Sequence, residues 1–220
     1  MSTMKRITTK FAVAVLTFLV GITAAAIWFG NPHKQFADDN YFPAGIFGPH
    51  ESELKWIRKF YSSSLAAMQE PPLFPLKDKN VETYRFVWLR AFHPPVAVRL
   101  WKTGNQSYMS TKQLSNVGVP INGEAVFPKT LAVNETQSIT NEEWAHFQEL
   151  LKKTEFWSMP TTDETPIGLD GSGWLLEGVK QDQYHMVHRQ SPEQGAYREV
   201  CIYLLRVSRM KIDESKGELY

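Results

Sequence analysis

The sequence predicts an α+β fold. The expected core is a mostly antiparallel sheet of about five to six strands with two to three packed helices, preceded by an amino-terminal transmembrane or signal helix. Three observations carry this. Apolar and polar residues alternate through the middle of the chain and again from Trp174 to Gln190. Apolar residues recur at helical spacing before, between and after those stretches. An uncharged apolar run fills residues 11–29, behind Lys5, Arg6 and Lys10.

That run comes first. Its 19 residues would reach roughly 28 Å as a helix, close to the ~30 Å hydrocarbon core. It is either a single membrane anchor with Trp28 at the far interface, or a secretory signal cleaved after Ala24-Ala25-Ala26. Either way residues 1–30 form one unit. The positive-inside rule puts the chain beyond residue 30 outside the cytoplasm, membrane-bound or, if cleaved, periplasmic or secreted. The run continues past Ala26, which favours the anchor.

Residues 31–50 are rich in Gly, Pro and Asn and read as a linker. Residues 51–210 are expected to be a single extracytoplasmic domain, and 211–220 a loose charged tail. Within the domain, Leu54, Ile57, Tyr61, Leu65 and Met68 predict a helix over 51–70, stopped by Pro71-Pro72. Thr83 to Arg90 and Val96 to Lys102 read as strands joined through His93-Pro94-Pro95. Gln106 to Leu114 comes after a Gly104-Asn105 turn as a third strand, residues 116–128 read as a loop, and Thr130 to Ile139 as a fourth strand.

The clearest local signal is Thr140-Asn141-Glu142-Glu143, a capping box that opens a helix running to about Thr154. Phe156 to Pro160 leaves that helix, and a polar loop over 161–170 leads into a hairpin. The hairpin runs from Trp174 to Val179, turns through Lys180-Gln181-Asp182-Gln183, and returns from Tyr184 to Gln190. Its register would set Trp174 opposite Arg189, Leu175 opposite His188 and Glu177 opposite Met186. A last helix spans about Tyr197 to Arg209.

Composition bounds the chemistry. The chain is 43% hydrophobic and 13% aromatic, which suits a packed core and not a disordered segment. Its net charge is +1; without Lys5, Arg6 and Lys10 the remainder holds 21 basic against 23 acidic residues, or −2. No basic tract would track a phosphate backbone, so nucleic acid is not an expected partner. The lone Cys201 excludes an intrachain disulfide and reads as a small core residue. No phosphate-binding glycine loop or H-E-x-x-H pattern is present, and neither cofactor nor metal is expected.

The hairpin holds the densest set of chemically able side chains. The candidate polar patch is Asp170, Glu177, His185, His188, Arg189 and Arg99, with Arg85 and Arg90 beside it. Arginine suits recognition of carboxylate or phosphate, and the same set makes ordinary salt bridges at a sheet rim. His185 and His188 point to opposite faces of a strand and so cannot chelate together. Glu177 lies diagonally from His188, which would let the carboxylate tune the imidazole. Arg189 would stack on Trp174, and Gly171 would take a positive φ in a turn capped by Asp170.

Several patterns carry a resemblance. They are Tyr84-Arg85-Phe86-x-Trp88-x-Arg90-x-Phe92, Val98-Arg99-Leu100, Phe156-Trp157-x-Met159-Pro160, Asp170-Gly171-x-Gly173-Trp174-x-x-Glu177-Gly178 and Tyr184-His185-x-Val187-x-Arg189-x-Ser191-Pro192. Over roughly residues 80–208 the chain resembles uncharacterised bacterial proteins with an amino-terminal signal or anchor. The resemblance implies that location and no activity, so no catalytic residue is carried over. The expected function is a membrane-tethered or exported binding module without catalysis, whose protein or small-molecule partner the sequence does not name. The alternative is a hydrolase built from Asp170, Ser172, Glu177 and His188.

Overall fold

The computed structural model describes residues 41–48, 55–121, 124–163 and 171–212. The apolar run at 11–29 lies outside them, as do Asp170 and residues 213–220 of the tail. Among the described residues no helix is long and apolar enough to cross a membrane.

Six strands form one antiparallel sheet: β1 (Val81–Arg90), β2 (His93–Thr103), β3 (Gln106–Leu114), β6 (Leu131–Ile139), β7 (Ser172–Gln181) and β8 (Gln183–Gln190). Their order across the sheet is β6-β3-β2-β1-β7-β8. Between β3 and β6, β4 (Val119–Ile121) and β5 (Glu124–Val126) pair as a separate ribbon. The helices are α1 (Lys55–Ala67), α2 (Asn141–Lys153) and α3 (Ala196–Val207). The architecture is α+β.

Burial tracks position in the sheet. β1 is central, and every residue from Thr83 to Arg90 is buried, because both faces are covered. β6 is an edge strand, and only Ile139 of its nine residues is buried.

One face carries Tyr84, Phe86, Trp88, Val98, Leu100, Met109, Trp174, Leu176 and Val187 under α2 and α3. Its rings interlock: Tyr84 meets Phe147 of α2 at 5.0 Å between centroids, and Trp174 meets Phe86 at 5.3 Å and Trp88 at 6.0 Å. Thr140 opens α2 as expected, accepting from the Glu143 amide while the Glu143 carboxylate accepts from the Thr140 amide. The opposite face carries Arg85, Arg99, Glu177 and His188 under α1, with Ile57, Tyr61, Leu65 and Met68 of the helical stripe buried.

The β7–β8 register agrees with the expectation, including Trp174 opposite Arg189, Leu175 opposite His188 and Glu177 opposite Met186. The turn is tighter than expected. Lys180 pairs with Gln183 across Gln181-Asp182, with Gln181 at φ 56.

Three segments differ from the sequence reading. Residues 41–48, expected as linker, bury Tyr41, Phe42 and Phe47. Arg58 of α1 holds them by donating to the Phe42 and Pro43 carbonyls at 2.7 and 2.6 Å. His93-Pro94-Pro95, expected as a connection, begins β2. The prolines fit because they fall at the register shift between Trp88 and Arg90, and β3 pairing begins only at Val96. Residues 116–128, expected as loop, contain the β4–β5 ribbon, and Phe127 beyond it packs on Phe60 of α1.

Candidate functional site

The polar side chains on the α1 face form a buried ion cluster. β1, β2 and β7 align Arg85 opposite Arg99 on one side and Glu177 on the other. Arg85 donates from Nε (2.9 Å) and Nη2 (2.6 Å) to Glu177 Oε1, and from Nη1 to the Pro71 carbonyl (2.6 Å). Tyr184 donates to the other carboxylate oxygen of Glu177 at 3.0 Å.

Glu70, just beyond α1, is the second anion. Its Oε2 accepts from Arg99 Nε at 2.8 Å and Arg85 Nη1 at 3.4 Å, and Lys112 Nζ stands 3.0 Å from its Oε1. Arg85, Glu177 and Glu70 are all within 1% of complete burial.

Isolated charges at that depth would be prohibitive, so the mutual pairing is what makes the cluster tolerable. Burial pushes the Glu70 carboxyl up, but Arg99, Lys112 and Arg85 outweigh it and hold the group at about 2. Burial likewise pushes Glu177 up, and Arg85 and Tyr184 offset only part of that. Burial pulls Arg85 down, and Glu177 and Glu70 more than restore it.

The remaining candidates separate. Trp174 pairs with Arg189 and lies on the α2–α3 face, so His185, Arg189 and Ser172 share that face while His188 and Glu177 occupy the other. His185 Nε2 bonds the Met159 carbonyl at 2.9 Å, and burial lowers its pKa. Arg189 donates to the His188 carbonyl (2.6 Å) and the Pro160 carbonyl (3.0 Å), and its Nε stands 3.3 Å from Asp163.

The expected stack of Arg189 on Trp174 is replaced. The Arg189 guanidinium lies over Tyr197 at 5.7 Å, and Arg198 of α3 approaches Trp174 at 6.0 Å. Arg189 is drawn instead to the His188 and Pro160 carbonyls and to Asp163.

His188 is buried edge-on to Tyr61, with centroids 5.7 Å apart, and its Nε2 has no hydrogen-bond partner. Burial, opposed by Asp163 and helped by Arg189, lowers it to about 4. No hydrogen bond or ion pair joins it to Glu177, whose oxygens belong to Arg85 and Tyr184. Ser172 Oγ accepts from the Trp174 indole N–H at 2.8 Å. The hydrolase set is therefore divided: Ser172 and His188 face opposite sides of the sheet, and Asp170 lies outside the described residues. Gly171 has φ +88, the positive value expected of it.

At the turn end of the same hairpin lies an open cleft of about 510 Å³. Phe74, Trp157 and Tyr184 line it with Pro43 and Ile46, and Lys77, Asp182, Gln183 and His185 supply its polar groups. Phe74 stands edge-on to Tyr184 with centroids 5.3 Å apart. Sequence reasoning names His185 here as a site candidate and Trp157 and Tyr184 only within the hairpin or the resemblance patterns, and it misses Phe74 and Pro43, which lie in segments without periodicity. Glu70 escapes it although it ends the expected 51–70 helix, because Arg85, Arg99 and Lys112 reach it from three separate strands; the signal available is a carboxylate placed directly before Pro71-Pro72 at a helix end.

Among the described residues no group of three or more His, Cys, Asp or Glu is placed to hold a metal ion. Cys201 is buried, and burial pushes its thiol well up, as befits an inert core residue. No family model matches the chain, and neither a curated protein nor a solved structure is significantly similar to it.

Proposed function

We propose that this chain is a membrane-tethered or exported extracytoplasmic binding module that performs no catalysis of its own. One observation carries the reading. Of the candidate polar side chains, Glu177, Arg99, Arg189 and His185 are occupied in holding the fold together, while the aromatic cleft beside them is open. Glu177, Arg85 and Arg99 bind one another or Glu70. Arg189 and His185 clamp the 159–161 segment onto the outer edge of β8. A nucleophile and base on opposite faces of a sheet cannot exchange a proton, which argues against Ser172 with His188. The tether rests on the length and flanks of residues 11–29, and the extracytoplasmic location on the three preceding basic residues.

Two measurements test this. The full chain should resist alkaline carbonate extraction and should be cleaved by protease added outside intact cells or spheroplasts. A soluble mature chain beginning at Ile27 would replace the anchor with a signal. Purified chain should turn over nitrophenyl esters, phosphates and peptides no faster than buffer. Turnover that Ser172→Ala or His188→Ala abolishes would overturn the module in favour of a hydrolase.

A further inference from the structure

We propose that the cleft at the β7–β8 turn binds a short, uncharged oligosaccharide; this rests on reading the chain as a binding module. The volume of about 510 Å³ is in the range that takes small ligands. Its apolar lining is dominated by rings. Phe74 and Tyr184 come from the α1 side of the sheet and Trp157 from the other side, and all three are half-buried. Tyr184 spends its hydroxyl on Glu177, so it offers the cleft its ring and not its O–H. Ring faces bind CH-rich surfaces through dispersion and the release of water, and a pyranose presents such a surface.

The polar groups narrow the class. Lys77 and Asp182 bring opposite charges, and both side chains are substantially exposed, so solvent screens them and neither an anion nor a cation is favoured. Lys77 also stands 5.9 Å over the Phe74 ring, which places a positive charge where an aromatic cage would need to accept one. With Gln183 these groups offer donors and acceptors side by side, as hydroxyl recognition requires. An extended peptide added to β8 is disfavoured, because Thr161 already accepts from the His188 amide at 2.7 Å and Met159 is held by His185.

The test uses the full chain in lauryldimethylamine oxide micelles, a detergent without sugar. Chitotriose, cellotriose and maltotriose are titrated while saturation-transfer NMR reads the sugar protons and tryptophan fluorescence reads the protein. At least one should bind saturably, with transfer strongest at its ring protons. Asp182→Ala and Gln183→Ala, both at exposed positions, should each weaken it about three- to tenfold, the loss of one hydrogen bond. Phe74→Ala should weaken it further, with circular dichroism confirming the fold.

Three results would overturn the proposal. One is no saturable binding of any trisaccharide by about 10 mM to folded chain. Another is binding indifferent to all three substitutions. The third is tighter binding of Ala-Ala dipeptide or tetramethylammonium in the same cleft. None of these touches the module reading, which is decided by protease access from outside and by turnover dependent on Ser172 or His188.

Discussion

Single side chains decide whether the hairpin is structure or site. Trp174 is fully buried among Phe86, Trp88 and the sheet, and its indole N–H is satisfied by Ser172. Trp174→Ala should cost about 3–5 kcal/mol, as for other buried aromatics, read as a fall in the urea midpoint. Ser172→Ala strands the indole N–H and should cost about 1–3 kcal/mol. The ion cluster has a sharper signature. Glu177→Ala leaves Arg85 charged and buried, with an expected loss of about 3–5 kcal/mol. The double variant Glu177→Leu, Arg85→Met should recover most of that, and a double-mutant cycle by chemical denaturation measures it. Failure to recover would mean that the cluster does more than satisfy itself.

At the scale of elements, α2 is specified locally; the pairing of the hairpin is too, but its seat against α1 is not. The capping box of α2 closes within four residues of sequence, so Thr140→Ala should cost about 1 kcal/mol and leave the rest of the melt intact. The hairpin depends on a close approach from α1. A side chain on Gly173 would collide with the Tyr61 hydroxyl, and His188 Nε2 lies 3.5 Å from the same point. Gly173→Ala should therefore loosen α1 from the sheet, seen as faster amide exchange in α1 than in α2. Equal exchange in the two helices would show that Tyr61 has room to move.

For the whole molecule, the folded-state pKa values predict acid sensitivity. His188 is lowered from 6.5 to about 4, so the folded state binds fewer protons than the unfolded one. Stability is then full above about pH 6.5 and falls as pH drops towards 4. His185, also lowered but half-exposed, acts in the same sense more weakly. The two carboxylates act in different windows. Glu177, raised above 4.5, takes up its proton in the folded state first and so works against the histidines as pH falls towards 4.5, whereas Glu70, held at about 2, adds stability that acid removes only below about 4.5. Thermal midpoints from pH 7 to 4.5 should fall more for the parent chain than for His188→Phe, the difference being the His188 share. A parallel decline in both would assign the effect elsewhere.

The sequence by itself determined the α+β class, the strand pairing of the hairpin and the capped helix. Each is encoded in a period or in a motif a few residues long, as in the alternation from Trp174 to Gln190 and in Thr140 to Glu143. It also determined which strand residues could meet, since alternation alone put His185 and His188 on opposite faces. Only the tertiary structure decided what those residues do. Glu70 reaches Arg85 and Arg99 from 15 and 29 residues away, and Tyr41 covers the cluster by donating to the Glu70 carbonyl. The cleft joins Pro43, Phe74, Trp157 and Tyr184 from four separate segments. No local pattern encodes such meetings, because they are set by how α1 and the turn after it cover one face of the sheet while the 156–161 segment lines its β8 edge.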